Sequence, residues 1–240
     1  MYVNGLNIDL ISDTHNRHKH FVMPGGDILI HAGDVSGMGK PTEILPFLDW
    51  FSEQDYSHLI LIAGNHDWGF QKDPTFYEEE CKRRNIILLN DSGYEAEGIK
   101  IWGSPVQPWF CNWAFNKGRG SDIKQHWDLI PLDTQILVTH GPPYLIGDGV
   151  LRFTRNSEYE LEHVGCADLV ERIKHLKDLK LHVCGHIHEG RGVVYENGII
   201  YVNASALDER YQPVKGVPIR VVKDDSGQYI TLDSATEDNL

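Results

Sequence analysis

Five short stretches of this chain bring together residue types that could hold metal ions. Asp13 and His15 are two residues apart, as are His186 and His188, and in extended backbone such residues point to the same side. Between these pairs stand Asp34 after Gly33, the tetrad Gly64, Asn65, His66, Asp67, and His140 before Gly141. Neutral imidazoles mixed with carboxylates and an amide oxygen suit Mn, Fe, Co, Ni or Zn better than Ca or Mg. The candidate ligands Asp13, His15, Asp34, Asn65, His140, His186 and His188 are too many for one closed tetrahedral zinc. They suffice for two divalent transition metal ions that share a carboxylate.

Each stretch follows a short apolar run, at 6–12, 27–32, 59–63, 135–139 and 179–184, which reads as a strand buried on both faces. In open α/β sheets ligands bind beyond the carboxyl ends of the strands, so these runs could aim their polar endings into one crevice. Residues 42–54, with Ile44, Leu45, Leu48 and Phe51 at helical spacing, predict a helix capped by Thr42. Residues 74–84 predict a helix opening with Pro74, and 166–176 one that packs a single face. Short strands are expected at 86–89, 94–97, 100–106, 193–195, 199–204 and 219–222, and long loops at 105–120 and 141–163. Helices alternate with strands early and strands cluster later, which predicts an α/β fold of two sheets covered by helices.

A length of 240 residues without repeats or long linkers favours one domain spanning 1–240, with an acidic tail whose end, near 233–240, is expected to be mobile. The formal net charge of −13 argues against a broad nucleic-acid surface. No apolar run approaches the roughly 18 residues of a membrane span, and no signal segment is visible. Four widely spaced cysteines without a Cys-x-x-Cys pair point to a reducing, cytoplasmic setting.

Asp-x-His, Gly-Asp, Gly-Asn-His-Asp, a lone His and Gly-His-x-His, in this order between Asp13 and His188, resemble the calcineurin-like metallophosphoesterase superfamily. The resemblance implies a four-layer α/β/β/α sandwich of two mixed sheets flanked by helices. It implies Asp13, His15 and His188 on one metal, Asn65, His140 and His186 on the other, and Asp34 bridging them, with manganese the first expectation. His66 would be the catalytic imidazole at the leaving group, and Asp67 its orienting partner. A closer similarity is to the metallophosphoesterase-domain-containing subfamily of animals, through stretches including 12–15, 29–34, 62–66, 108–115, 139–143 and 188–190. Members of that subfamily are phosphodiesterases acting on cyclic nucleotides. This chain departs from them in two places: His186 stands where they have glycine, and Asp67 where they have glutamate.

The implied reaction is hydrolysis of a nucleotide or cyclic nucleotide ester by a hydroxide formed on the metals. Two alternatives remain open. Phosphomonoesterases and phosphoprotein phosphatases usually extend Gly-Asp with a further Asp-Arg, whereas Val35, Ser36 and Gly37 follow Asp34 here. A nucleotide-binding sensor with little turnover is the other, and the intact His66 and His186 argue against it.

The aromatic segment 109–115 is either a loop that buries its own side chains or a wall on which a base stacks, with Trp109 and Trp113 the candidate contacts. Among Arg119, Arg152, Arg155 and Arg191, the last is the preferred phosphate clamp because only Glu189 and Gly190 separate it from His188. His31 and His182, inside apolar strands, read as structural, and 203–205 as a support beneath the metals or a plain strand-end turn. The expected partner is a small-molecule phosphoester, with no membrane involved.

Overall fold

The computed structural model describes residues 5–153 and 158–232. The expected mobile tail at 233–240 and Arg155 lie outside them. In chain order the elements are β1 (Gly5–Ile11), β2 (Gly26–His31), α1 (Pro41–Ser52), β3 (Tyr56–Leu61), α2 (Trp68–Lys72), α3 (Pro74–Arg83), β4 (Ile86–Leu88), β5 (Ser92–Ala96), β6 (Ile99–Ser104), β7 (Gln107–Pro108), β8 (Asn116–Lys117), α4 (Ser121–Trp127) and β9 (Ile136–Thr139). The hairpin β10 (Gly149–Phe153) and β11 (Tyr159–His163) follows, then α5 (Ala167–Ile173), β12 (Leu181–Cys184), β13 (Gly192–Glu196), β14 (Ile199–Asn203), β15 (Ile219–Asp224) and β16 (Tyr229–Leu232).

Strand alternation decides the layers. Successive side chains point to opposite faces, so Ile8, Leu10, Ile28, Ile30 and Ile60 from one sheet meet Ile101, Ile136, Val138, Val183 and Val202 from the other in a core between the sheets. Their neighbours face outward: Leu29, Leu59 and Leu61 pack on Ile44, Phe47, Phe51 and Tyr77 of α1 and α3. On the far side Leu137 and Tyr201 pack on Trp127 of α4 and on Leu169 and Ile173 of α5. The result is helix, sheet, sheet, helix, as the resemblance implied. The sheets run β16-β15-β1-β2-β3-β4 and β13-β14-β12-β9-β6-β5, each six-stranded and mixed.

Two features of this topology position the site. β1, β2 and β3 are parallel neighbours, as are β9 and β12, so the polar endings of all five runs emerge at carboxyl edges. An isolated parallel bridge between Ser12 and Ser205, with Ser12 N–H donating to the Ala204 carbonyl at 2.9 Å, splices the two sheets at that edge.

Several elements differ from the sequence expectation. α1 begins at Pro41, and Glu43 accepts from the Lys40 N–H at 2.9 Å, so Thr42 is not the cap. The expected loop at 141–163 contains the β10–β11 hairpin, whose alternation of Tyr159, Leu161 with Glu160, Glu162 is a period-two pattern with no core to fill. α2, α4 and β16 were not expected either; α2 and α4 span only 5 and 7 residues, too short for a clear apolar stripe.

Candidate metal centre

Tight backbone carries the ligands. Asp13, His15, Asp34 and His186 all have positive φ, between 39° and 68°, a region that disfavours residues with a side chain. Such strain persists only where surrounding structure holds it. Here the Asp13 N–H donates to the Gly33 carbonyl at 2.9 Å and the His15 N–H to the Asp34 carbonyl at 3.1 Å. The His66 N–H donates to Asp34 Oδ1 at 2.8 Å, and the His186 N–H to Asp13 at 3.0 Å. Glycine permits these approaches: a Cβ on Gly64 would lie 2.3 Å from Asp34 Oδ1, and one on Gly185 2.0 Å from Asp13 Oδ2.

The loops bring Asp13, His15 and His188 into one ligand group, Asp13, Asp34 and His140 into a second, and His15, Asp34 and His66 into a third. Asp34 Oδ2 lies 3.5 Å from His140 Nε2, 3.7 Å from His15 Nε2 and 3.9 Å from His66 Nε2. His188 Nε2 is 3.6 Å from Asp13 Oδ1. Donors about 2.1 Å from a shared ion stand roughly 3 to 3.4 Å apart, so these spacings are close to a coordination shell.

The tautomers make the fit stronger. His15, His140 and His188 each place Nδ1 against a backbone carbonyl, of Ser36 at 3.1 Å, Ala32 at 2.9 Å and Asp208 at 2.8 Å. A carbonyl can only accept, so Nδ1 carries a proton and Nε2 is the nitrogen turned to the cluster, the usual orientation of a ligating histidine. Buried His15 Nε2 has no hydrogen-bond partner among the described residues. His140 Nε2 also lies 2.9 Å from Asn65 Oδ1, and two acceptors at that distance require a cation or a proton between them. A pair of divalent ions fits this donor set.

Electrostatics agree. Burial alone would raise the Asp13 carboxyl, yet the hydrogen bond and charge of His188 hold it well below the usual carboxylate range, and His140 does the same for Asp34. Burial would lower His140 and His188, but Asp34 and Asp13 push them up to about 9. His186 is different: burial and the nearby His140 push it down to about 3, leaving a neutral ring. Its ring centre is 5.1 Å from that of His140, and it lines the cleft with Asn65.

His66 sits in the same cleft, with Nδ1 2.7 Å from the Gly37 carbonyl and its ring stacked on Trp113 at 4.2 Å and 28°. The orienting partner is therefore the Gly37 carbonyl and not Asp67. The Asp67 carboxylate is consumed elsewhere, accepting from the N–H groups of Val35, Ser36 and Gly64 and from Ser36 Oγ, at 2.7 to 3.1 Å. Asp67 thus clamps the loop after β2 to the loop after β3. Burial first, and then Asp34, pushes its carboxyl up to about 6.

Arg191 does not reach the cleft. Its guanidinium donates to the carbonyls of Ser205 at 2.6 Å and Gly216 at 2.5 Å, holding the chain beyond β14 against the turn after His188. Loop 109–115 combines both of its expected characters: Ala114 and Phe115 are buried, and the Ala114 N–H donates to the Asn65 carbonyl at 3.1 Å, while Trp109 is 64% exposed. Phe110 and Trp113 line the metal cleft, of about 190 Å³, and Trp109 and Phe110 line an adjoining groove of about 480 Å³.

Two contributors escaped the sequence reading. Tyr211 lines the cleft with its ring centre 4.9 Å from His15 and 5.2 Å from His188, and no motif marks it in the sequence. Ser36 is the other, and its position two residues after Asp34 was the available signal. Ser205 Oγ lies 2.9 Å from Asp13 Oδ2, so 203–205 supports a ligand directly.

Comparison with known proteins agrees with this geometry. Metallophosphoesterase domain-containing protein 1 of Homo sapiens is 39% identical, covering 85% of this chain and 67% of its own. A probable cyclic nucleotide phosphodiesterase of Synechococcus sp. is 27% identical, covering 70% of this chain and 61% of its own. The crystal structure of phosphopantetheinyl hydrolase from Mycobacterium tuberculosis superposes with a TM-score of 0.55 at 16% identity, covering 88% of this chain and 92% of that one. With the calcineurin-like phosphoesterase model matching residues 6–190 and a buried Asp/His cluster at the matched motifs, the chain belongs to the calcineurin-like phosphoesterases and is a metal-dependent hydrolase of phosphoesters.

Proposed function

We propose that this chain is a phosphodiesterase acting on nucleotide-type esters, with manganese the first candidate metal. The described residues would work as one catalytic unit. Asp13, His15 and His188 would hold one ion, Asn65, His140 and His186 the other, and Asp34 would touch both. When bound, such a pair supplies a nucleophile at neutral pH and offsets phosphate charge.

The chain's own residues supply the rest. His66, fixed through Nδ1 by the Gly37 carbonyl and through its face by Trp113, keeps Nε2 toward the cleft, where it is 3.9 Å from Asp34 Oδ2. Protonated there, it can donate to the departing alkoxide, a contribution of about 10² to 10⁴ in rate. Trp113 therefore acts on the imidazole before it acts on any base. The single observation that carries the diesterase reading is an aromatic wall, Trp109 and Phe110, opening from the metal cleft into a groove large enough for a nucleoside. The similarity to a probable cyclic nucleotide phosphodiesterase supports the nucleotide class.

The test is to strip the protein of metal, restore Mn, Fe, Co, Ni, Zn or Mg singly, and assay bis(p-nitrophenyl) phosphate against p-nitrophenyl phosphate. Manganese-dependent hydrolysis that favours the diester is expected. A preference for the monoester would replace the reading with a phosphomonoesterase.

A further inference from the structure

The groove beside the metal cleft has two walls of different origin. One is Trp109 and Phe110; the other is the β10–β11 hairpin, which contributes Val150, Leu151, Arg152 and Glu162. Groove and cleft share Phe110 and His186, whereas His66 and Trp113 line the cleft alone. The groove therefore opens at the His186 side, and a group lying in it hangs from a phosphate oxygen other than the one His66 protonates.

Charge in the groove is balanced. Arg119 points its η nitrogens at the Gly165 and Val164 carbonyls, both at 2.7 Å, and Arg152 is paired with Glu162 across the hairpin. Glu189 adds a second carboxylate. Among the described residues, two cations against two carboxylates give a second phosphate no net attraction, while aromatic and aliphatic walls favour a flat, uncharged group.

We infer that the groove between the aromatic wall and the hairpin seats the uncharged organic substituent of a mixed phosphodiester, and that this substituent stays on phosphorus while the smaller alcohol leaves at His66. The inference rests on the phosphodiesterase reading and adds regiochemistry and charge selectivity to it. In the reaction one water molecule is consumed. Its oxygen bonds to phosphorus, and the bond from phosphorus to the smaller alkoxide breaks with its electron pair. That alkoxide takes the proton from His66 Nε2; one water proton restores the imidazole and the other passes to solvent with the monoester product.

Thymidine 5′-(methyl phosphate), whose two leaving alcohols are chemically similar, tests the orientation. Manganese-loaded protein is expected to give thymidine 5′-phosphate and methanol over thymidine and methyl phosphate by about tenfold or more, the range a shaped pocket achieves. Val150→Trp and Leu151→Trp, each filling the groove from the hairpin side, should bring that ratio toward unity, with an unchanged Tm showing that the fold is intact. A phosphate on the thymidine 3′ oxygen should lower kcat/KM about tenfold. Thymidine as the main product, a product ratio untouched by both folded variants, or equal use of the 3′-phosphorylated ester would overturn the groove assignment. Bis(p-nitrophenyl) phosphate separates the two levels: turnover of it by protein that shows no product bias on the thymidine ester removes only the groove, and no turnover with any metal removes the diesterase reading and the groove with it.

Discussion

The two halves of the metal centre are built differently. The loops after β1, β2 and β3 are bound to one another: the Asp13 and His15 N–H groups reach the carbonyls of Gly33 and Asp34, and one carboxylate, Asp67, takes three donors from the loop after β2 and one from Gly64 of its own loop. The loops after β9 and β12 are joined to each other through the Gly185 N–H to the His140 carbonyl at 3.0 Å, to the first half through the His186 N–H to Asp13 at 3.0 Å and to β14 through Asn203 Nδ2 to the Ile187 carbonyl at 2.8 Å, and then border open space. Asp34 and His66 lie in the first half, and the groove lies beside the second. Four of the seven candidate ligands, Asp13, His15, Asp34 and Asn65, thus sit with His66 where three loops brace one another, and the groove proposed for recognition sits where packing stops.

The sharpest way to break this contrast is to remove the residue that joins the halves. Asp34→Ala should lose both metals and lower turnover by about three orders of magnitude or more, whereas His186→Gly, in the second half, should weaken chiefly one metal. Metal analysis after gel filtration checks both, and a wild-type protein holding at most one tight ion under saturating manganese would defeat the two-metal assignment. Next comes His66→Asn, which should keep both ions and lose about 10² to 10⁴ in rate, most with poor leaving groups. An unchanged rate on an alkyl diester would remove His66 from the reaction.

Two buried carboxylates allow a milder comparison. Asp67 clamps the first half, and Asp148 holds the base of the hairpin beside the second, accepting from the Leu145 and Gly165 N–H groups at 3.0 and 2.9 Å and facing His163 Nδ1 at 2.7 Å. Asp67→Ala leaves three buried N–H groups without their acceptor and should cost about 3 kcal/mol or more of stability along with metal affinity. Asp148→Ala should cost about 2 kcal/mol and raise KM for a nucleoside diester more than it lowers kcat. Urea melts paired with steady-state kinetics distinguish the two, and equal losses of metal affinity would mean that the halves are not separately supported.

The contrast also explains what was legible in the sequence. Ligands at the ends of buried parallel strands announce themselves, because the apolar run and the polar ending are contiguous; all seven candidate metal ligands followed that pattern. Layer order followed from the same runs. What could not be read was carried by groups without a sequence signature. The Gly37 carbonyl that orients His66 is a backbone atom, so the adjacent carboxylate, Asp67, was the natural but mistaken candidate. Arg191 is near His188 in the chain, yet orphan carbonyls beyond β14 claim its guanidinium. Tyr211 arrives from a turn 23 residues beyond His188, and no local pattern reports such a return.

Two buried histidines give the smallest and most selective test. His31 on β2 and His182 on β12 both face a helix layer, and burial pushes both imidazoles down to about 3 from an ordinary value near 6.5. Since the folded value is the lower one, acid favours the unfolded chain. The stability due to each neutral ring is complete above about pH 6.5 and is lost as pH falls toward 3, by about 1.4 kcal/mol at pH 5.5 for each ring. Their bonding differs. His31 Nδ1 accepts from the Gly33 N–H at 3.2 Å and Nε2 meets Thr14 Oγ1 at 3.1 Å, so this ring ties together the backbone on either side of the first-half ligands. Among the described residues His182 has only Thr139 Oγ1 at 2.8 Å, and its Nδ1 has no partner. At pH 7.5 His31→Leu should therefore cost about 2 kcal/mol and weaken metal binding about tenfold, while His182→Leu should cost under about 1 kcal/mol and leave metal binding alone. Lowering the pH to 5.5 in metal-stripped protein should improve both variants relative to wild type by the same 1.4 kcal/mol or so, making His182→Leu the more stable chain. If His182→Leu instead lost metal as readily as His31→Leu, the second half would be as tightly coupled to its core as the first, and the distinction between a fixed half and an open half would fail.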